Sequence, residues 1–345
     1  MDDSTLRGAI KQPTNCFFGH IEGDTLQDDE NLCIVSTICA SRFSKAAVKM
    51  ASLRKVSLAA CRLVMLDFPW AHLRSLTIAY TTILLSRLQD VLGQCSCLER
   101  LILGPELLGE PEEPDPNTGT MATSYDQDPV FSRLPNLLHL EFQYDTEDLL
   151  ENGLNFQAPA LETLIMQESL PITRFAIFFA MFLRAEKLRH LELAAVTLPE
   201  PDDIHMLVDL FNYLSHLKRL SFDLAAEVDD PDDPDRPSVY ELLMAILTHR
   251  TSSGMSYCPE LTDLELHRAA AASKSETILL IELVCSRQGL HHGDDAPWPR
   301  PRVPGLRRLQ VTSAPGVPSF QSSFEAEPLD FFMSVTEGMD HISLG

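Results

Sequence analysis

The side chains best placed for chemistry are histidines and carboxylates set two residues apart. His139-Leu140-Glu141 and His190-Leu191-Glu192 repeat one tripeptide. In an extended strand residues i and i+2 share a face, so each His stands beside its Glu. The segment between the two tripeptides offers only Thr163 and Ile165 at the corresponding places, so the pairs read as polar residues of an exposed face. The chain contains no phosphate loop, GxGxxG, HExxH or GxSxG, and no Ser/His/Asp or Cys/His set stands out. His291 and His292 share a Gly/Asp/Pro stretch with Asp294 and Asp295, which reads as a solvated loop. The run DDPDDPD at 229–235 lacks the glycine and terminal Glu of an EF-hand. Cys95 and Cys97 flank Ser96, and no second pair stands at a zinc-like spacing. With no CxxC pair, the eight cysteines read as reduced, buried small hydrophobes. The expectation is a chain that is not an enzyme and carries no cofactor or metal.

What positions these residues is a repeat. The pattern L-x-x-apolar-x-apolar occurs nine times, beginning at Leu53, Leu73, Leu98, Leu137, Leu161, Leu188, Leu217, Leu261 and Leu306. Five of the eight intervals fall in the range of roughly 20–29 residues that marks a leucine-rich repeat. Apolar fourth and sixth positions alternate with polar third and fifth positions, the period of a strand with one buried face. Between copies the period becomes helical: Leu84 to Leu92, Ile204 to Leu214, Leu242 to Leu247 and Ile278 to Val284 carry i, i+3, i+4 spacing. Phe175 to Leu183 is apolar nearly all round, so the most buried helix is expected there.

Strand, turn, helix and turn, repeated, give an α/β leucine-rich-repeat solenoid, a horseshoe with parallel concave strands, convex helices and irregular turns. Such a fold suits a length of 345 residues, beyond the roughly 250–300 at which single cores stop growing. Residues 51–345 are read as the repeat domain, with acidic or Pro-rich inserts at 105–129, 227–237 and 288–304 that have no face to bury. Residues 1–50 are read as an N-terminal segment, partly helical or disordered, with ENLCIVSTICASRFSKAAVKM as its helix.

Third- and fifth-position side chains point out of the concave face. The candidate binding residues are Lys55, Arg100, His139, Glu141, His190, Glu192, Arg219, Asp263, Glu265 and Arg308. Either they solvate exposed strands and pair with nearby acids, or they form a docking track for a partner segment carrying acidic or phosphorylated residues. The formal net charge of −23 argues against nucleic acid and anionic membranes as partners, because both attract a positive surface. The first fifteen residues lack the apolar core of a secretory leader, and the longest apolar run is far shorter than the roughly 20 residues of a membrane span. A cytoplasmic or nuclear protein that binds another protein is expected.

Several segments resemble leucine-rich-repeat proteins of the fungal F-box type: WAHLRSLTI with Trp70, LGQCSCLERLIL, LLMAILTHR followed by YCPELTDLEL, LLIELVCSRQ, and the closing FFMSVTEGMDHISL. The resemblance covers roughly residues 50–345 and rests on the order of the segments. It implies a substrate receptor of a cullin-type ubiquitin ligase, working with a Skp-type adaptor. An F-box opens with a Leu-Pro-x-Glu-like turn, and nothing in residues 1–50 reads that way. The alternative is a scaffold repeat protein with no ligase link. Regular repeats also place Asn or Cys at the ninth position. Cys61 fits, whereas Thr81, Glu106, Asp145 and most others do not.

Overall fold

The computed structural model describes residues 15–18, 32–35, 54–59, 70–107, 132–144, 146–197, 203–223, 238–251, 254–255, 257–269, 274–289, 305–313 and 326–344. They fall into two compact units, one within Met1–Leu161 and Met181–Ala185, the other within Glu162–Ala180 and Glu186–Gly345. Both are α/β and built on parallel strands.

In the first unit, strands β1 (Asn15–Phe18), β2 (Leu32–Val35), β3 (Lys55–Ala59), β4 (Ser75–Ile83), β5 (Arg100–Leu107) and, after the short β6 (Ser132–Arg133), β7 (His139–Phe142) carry the pattern. β1 to β5 and then β7 pair parallel in chain order. A short β8 (Phe156–Gln157) pairs with β6. In the second unit, β9 (Thr163–Pro171), β10 (His190–Thr197), β11 (Arg219–Asp223), then past the hairpin of β12 (Arg250–Thr251) and β13 (Gly254–Met255), β14 (Asp263–Ala269), β15 (Arg308–Ser313) and β16 (His341–Leu344) do the same.

Helices occupy the intervals: α1 (Leu85–Gln94), α2 (Thr146–Glu151), α3 (Ile172–Ile177), α4 (Asp203–Tyr213), α5 (Val239–Thr248), α6 (Lys274–Gln288) and α7 (Ala326–Val335). Parallel neighbours need a crossover, and a helix is its usual form. In the second unit α3 packs on α4, α5 on α6 and α6 on α7. The α5 N-terminus is a capping box: the Glu241 N–H donates to Ser238 Oγ at 3.0 Å, and the Ser238 N–H donates to Glu241 Oε2 at 3.1 Å.

The repeat sets the core directly. Fourth-position residues Leu76, Leu101, Leu140, Leu164, Leu191, Leu220, Leu264 and Leu309 are all fully buried, as are the leading Leu73, Leu98, Leu137, Leu161 and Leu217. Before six of the copies the chain makes one tight turn. The leading leucine N–H donates to the carbonyl three residues back, Leu73 to Trp70, Leu98 to Cys95, Leu137 to Leu134, Leu161 to Ala158, Leu217 to Leu214 and Leu261 to Cys258. The residue giving that carbonyl is buried in each case. The turn therefore adds one more apolar position to the repeat.

Four features depart from the sequence reading. Leu32–Val35, placed in a helix by the sequence reading of residues 1–50, is a strand paired to β1 and β3. Its run LCIV and the HISL of β16 continue the pattern without a leading Leu. The chain divides after Leu161, while β2, from the 1–50 segment, joins the sheet of β3. Pro105 to Leu107, assigned to the first insert, belong to β5. Leu107 pairs with Ile83, and Pro105 is buried. Finally, α3 ends at Ile177 and Phe178–Leu183 continues as a wider π-type turn. Phe175, Phe178, Phe179 and Leu183 are buried there, as expected, and Ile177 is exposed. The rest of the inserts (108–129, 227–237 and 290–304), the His291–His292 pair and the acidic run 229–235 lie outside the described residues.

Candidate functional site

The outward columns are in register, so each candidate can be placed. In the first unit Lys55, Ser75, Arg100 and His139 are successive Cα partners, as are Ser57, Thr77, Ile102 and Glu141. In the second, Thr163, His190, Arg219, Asp263, Arg308 and His341 form one column, and Ile165, Glu192, Ser221, Glu265, Gln310 and Ser343 the next. The register arises because position-two carbonyls accept two N–H bonds from the next repeat. The Arg74 and Ser75 N–H groups donate to Arg54 at 2.7 and 3.0 Å, and the Glu99 and Arg100 N–H groups to Arg74 at 2.8 and 2.9 Å. The same fork links Arg189 to Lys218 and Arg219, and Lys218 to Thr262 and Asp263.

Glu141 is the hub of the first unit's face. Only 8 % exposed, it accepts from Gln143 Nε2 at 2.9 Å and lies 3.5 Å from His139 Nε2 and 3.8 Å from Arg100 Nη2. Burial moves the His139 pKa below its ordinary value. The Glu141 hydrogen bond opposes that movement, and the Arg100 charge adds to it. The shift favours the neutral ring.

On the second unit's face the charges pair in sequence. Arg219 Nη2 donates to Glu265 Oε1 at 2.8 Å, His267 Nε2 lies 3.8 Å from Glu265 Oε2, Arg308 Nε lies 3.5 Å from Asp263 Oδ1, and His190 Nε2 lies 3.9 Å from Glu192 Oε2. Asp263 also accepts from Thr262 Oγ1 at 2.6 Å. Nine of the ten candidates are thus at least partly exposed on the strand faces and Glu141 is buried, and Arg100, Arg219 and Arg308 of the third column stand beside acids of the third and fifth. Lys55 stands at the corresponding place on β3. A uniformly basic track is not what these residues make. They present alternating, mutually oriented charges, each pair partly open to solvent.

Two features escape a reading confined to columns three and five. Position two, immediately before each strand, is a second column rich in bases: Arg54, Arg74, Arg189, Lys218 and Arg307 stand there, all but Arg54 exposed, together with Glu99, Leu138, Glu162 and Thr262. Its signal was present in the sequence as the residue after each leading leucine. The second feature is an aromatic pair. Tyr80 adopts a left-handed φ of 49° at a bulge in β4, a conformation uncommon for a bulky residue. Its ring lies 5.1 Å from that of Tyr144, and both are largely exposed. Gly104 lies between them on β5. A Cβ there would come within 3.2 Å of Gln143 Cβ and 3.3 Å of Tyr144 Cδ2, so the missing side chain makes room for the Tyr144 ring. A side-chain hydrogen bond with Tyr144 raises the Tyr80 pKa.

Cys95, Cys97, Cys258 and Cys285 are all free thiols. Cys95 and Cys258 are the turn residues before their strands, and burial raises both thiols to about 12. Cys285 is also buried, whereas Cys97 is exposed, contrary to the general expectation for the cysteines. Among the described residues no group of three or more His, Cys, Asp or Glu side chains is arranged to hold a metal ion, and no helix is long and apolar enough to cross a membrane. No family model matches the chain, and no curated protein matches it either.

Proposed function

We propose that this chain is a leucine-rich-repeat solenoid that binds another protein through its strand faces. The observation that carries the reading is the register: within each unit, parallel strands in chain order keep third- and fifth-position side chains in regular columns on one face, most of them open to solvent. A rigid array at roughly 4.8 Å spacing suits an extended segment of a partner, whose side chains it can meet repeat by repeat. The alternating pairs Arg219–Glu265 and Arg308–Asp263 favour a segment of mixed charge, since a uniformly charged one meets as much repulsion as attraction. The exposed Tyr80–Tyr144 pair supplies the kind of aromatic anchor on which binding energy concentrates.

The resemblance to F-box leucine-rich-repeat proteins makes a ligase substrate receptor the leading form of this role. The mutual pairing of the face charges favours the second form, a scaffold with no ligase link. Mixing the full chain with a purified Skp-type adaptor separates them. A complex on size exclusion supports the receptor, and two independent peaks support the scaffold. The protein-binding reading itself falls if crosslinking in cells yields no protein adduct through either strand face.

A further inference from the structure

At the C-terminal ends of β4, β5 and β7, all in the first unit, the outward face carries two tyrosines and a carboxylate. Tyr80 is 63 % and Tyr144 46 % exposed, with ring centroids 5.1 Å apart and planes tilted by 32°. The backbone holds them there. Thr81, fully buried, shares its hydroxyl proton between the Ala79 and Leu58 carbonyls, at 3.0 and 3.3 Å. Those bonds anchor the bulge in which Tyr80 takes its left-handed φ of 49°, and a bulge re-aims a side chain. The Gln143 N–H donates to the Leu103 carbonyl at 2.7 Å and fixes the segment leading to Tyr144. Gly104, with no side chain, is the floor under the Tyr144 ring. Two residues further along β5, Glu106 shares the outward face, about 7 Å from that floor. It is exposed and, among the described residues, pairs with no base. Glu141 on the same face is already engaged by Gln143, His139 and Arg100. Arg100 stands four residues before Gly104, about 13 Å away along the strand.

We propose that the tyrosine pair and Glu106 together receive an arginine side chain from the partner protein. The proposal rests on the protein-binding reading above and names the residue that stands on its aromatic anchor. Sign decides the occupant. An apolar side chain laid over the rings would take Glu106 out of water with nothing to pair it, which costs free energy. A carboxylate would be repelled by Glu106, in a chain of net charge −23. A cation is attracted by the negative ring faces and by the carboxylate together. Among cations a guanidinium fits best. It is flat enough to stack on a tyrosine, and its N–H groups lie in its own plane, where a carboxylate beside the ring can accept them. The separation suits this arrangement. A stacked guanidinium lies within about 6 Å of the ring centroid, and the gap to the Glu106 backbone is one that a glutamate and an arginine close between them.

The probes are acetylated heptapeptides of glycine and serine with a central arginine, and the same peptides with citrulline, lysine or leucine in its place. Citrulline keeps the shape of arginine and removes the charge. The full chain is labelled with 3-fluorotyrosine and observed by fluorine NMR, with Tyr80→Phe and Tyr144→Phe assigning the two signals. The arginine peptide is expected to move these two signals and to leave those of the other four tyrosines in place. Its dissociation constant should be about five- to tenfold below that of the citrulline peptide, with lysine between them. Salt should weaken the arginine peptide more than the citrulline peptide. Glu106→Gln should weaken the arginine peptide about threefold and leave the citrulline peptide unchanged. Tyr144→Leu should reduce the preference for arginine over citrulline to about threefold or less, and Tyr144→Phe, which keeps a ring, should retain it. The other four tyrosine signals, at their parent positions, show that each variant is folded. A citrulline or leucine peptide that binds as tightly as the arginine peptide overturns the proposal. So does the absence of movement with any peptide, or a preference untouched by Glu106→Gln or by Tyr144→Leu. A larger response to choline than to the arginine peptide assigns the pair to a small cation and overturns it as well. Protein crosslinks from the strand faces that persist while the peptides fail leave the protein-binding reading standing and remove the arginine site.

Discussion

Arg287 should hold together the second unit's helix-to-strand connection. It is 4 % exposed and donates three hydrogen bonds to backbone carbonyls: Nε to Leu247 at 3.0 Å, Nη1 to Cys258 at 2.7 Å and Nη2 to Tyr257 at 3.1 Å. Leu247 lies in the last turn of α5, where carbonyls lack helical partners and a cation is favoured. Cys258 sits at a left-handed φ of 42° in the turn leading to β14. One guanidinium thus ties a helix C-terminus to a strained turn. Arg287→Met keeps much of the volume and removes all three donors. Leu247 and Cys258 are fully buried, so two carbonyls lose a partner where water enters poorly, at about 1–3 kcal/mol each. Tyr257 is half-exposed and recovers its bond from water. Relief of the buried charge offsets part of the loss, and the net is about 2–5 kcal/mol. Hydrogen exchange followed peptide by peptide should show it as opening about 30- to several-thousand-fold more frequent across residues 239–289, with the first unit unchanged. Arg287→Lys should recover only part, because an ammonium lacks the fork. Exchange rates within threefold of the parent in Arg287→Met would refute the reasoning.

Other expectations follow from the same geometry. Leu191→Ala, at a fully buried fourth position paired to Leu164 and Leu220, should cost about 2–5 kcal/mol in urea unfolding; a loss under about 1 kcal/mol would contradict the register. Ser238→Ala removes the capping box of α5 and should cost about 1 kcal/mol, read as a lower urea midpoint at unchanged slope. Because burial holds His139 below its usual 6.5, its stabilising contribution is full above that pH and is lost as pH falls through the lowered value. The stability difference between the parent and His139→Gln should therefore narrow from pH 7.5 to pH 5, and a constant difference would show that His139 does not titrate between the two states.

Much of the architecture was legible because one period repeats. The residues that satisfy the strand pattern, from Leu101 to Leu309, are the ones buried in register. The strands at Asn15–Phe18, Leu32–Val35 and His341–Leu344 escaped a search for a leading Leu, since pairing needs only alternation and a backbone free to bond. The candidate columns were legible as positions but not as electrostatics. That Arg219 meets Glu265 across two strands is a matter of side-chain reach, 2.8 Å here, which spacing along the chain does not encode.

The central claim, protein binding through the strand faces, is tested most directly by site-specific photocrosslinking of the full chain in cells. A photoreactive residue is placed at Thr77 or Gln310, on the outward columns, and in matched samples at Asp90 or Glu282, exposed on α1 and α6. The account predicts discrete protein adducts from Thr77, reduced by Arg100→Glu, or from Gln310, reduced when Arg219 and Glu265 are exchanged, with none from the helix positions. Adducts from Asp90 or Glu282 alone, or strand-face adducts unaffected by that exchange and by Arg100→Glu, would contradict it.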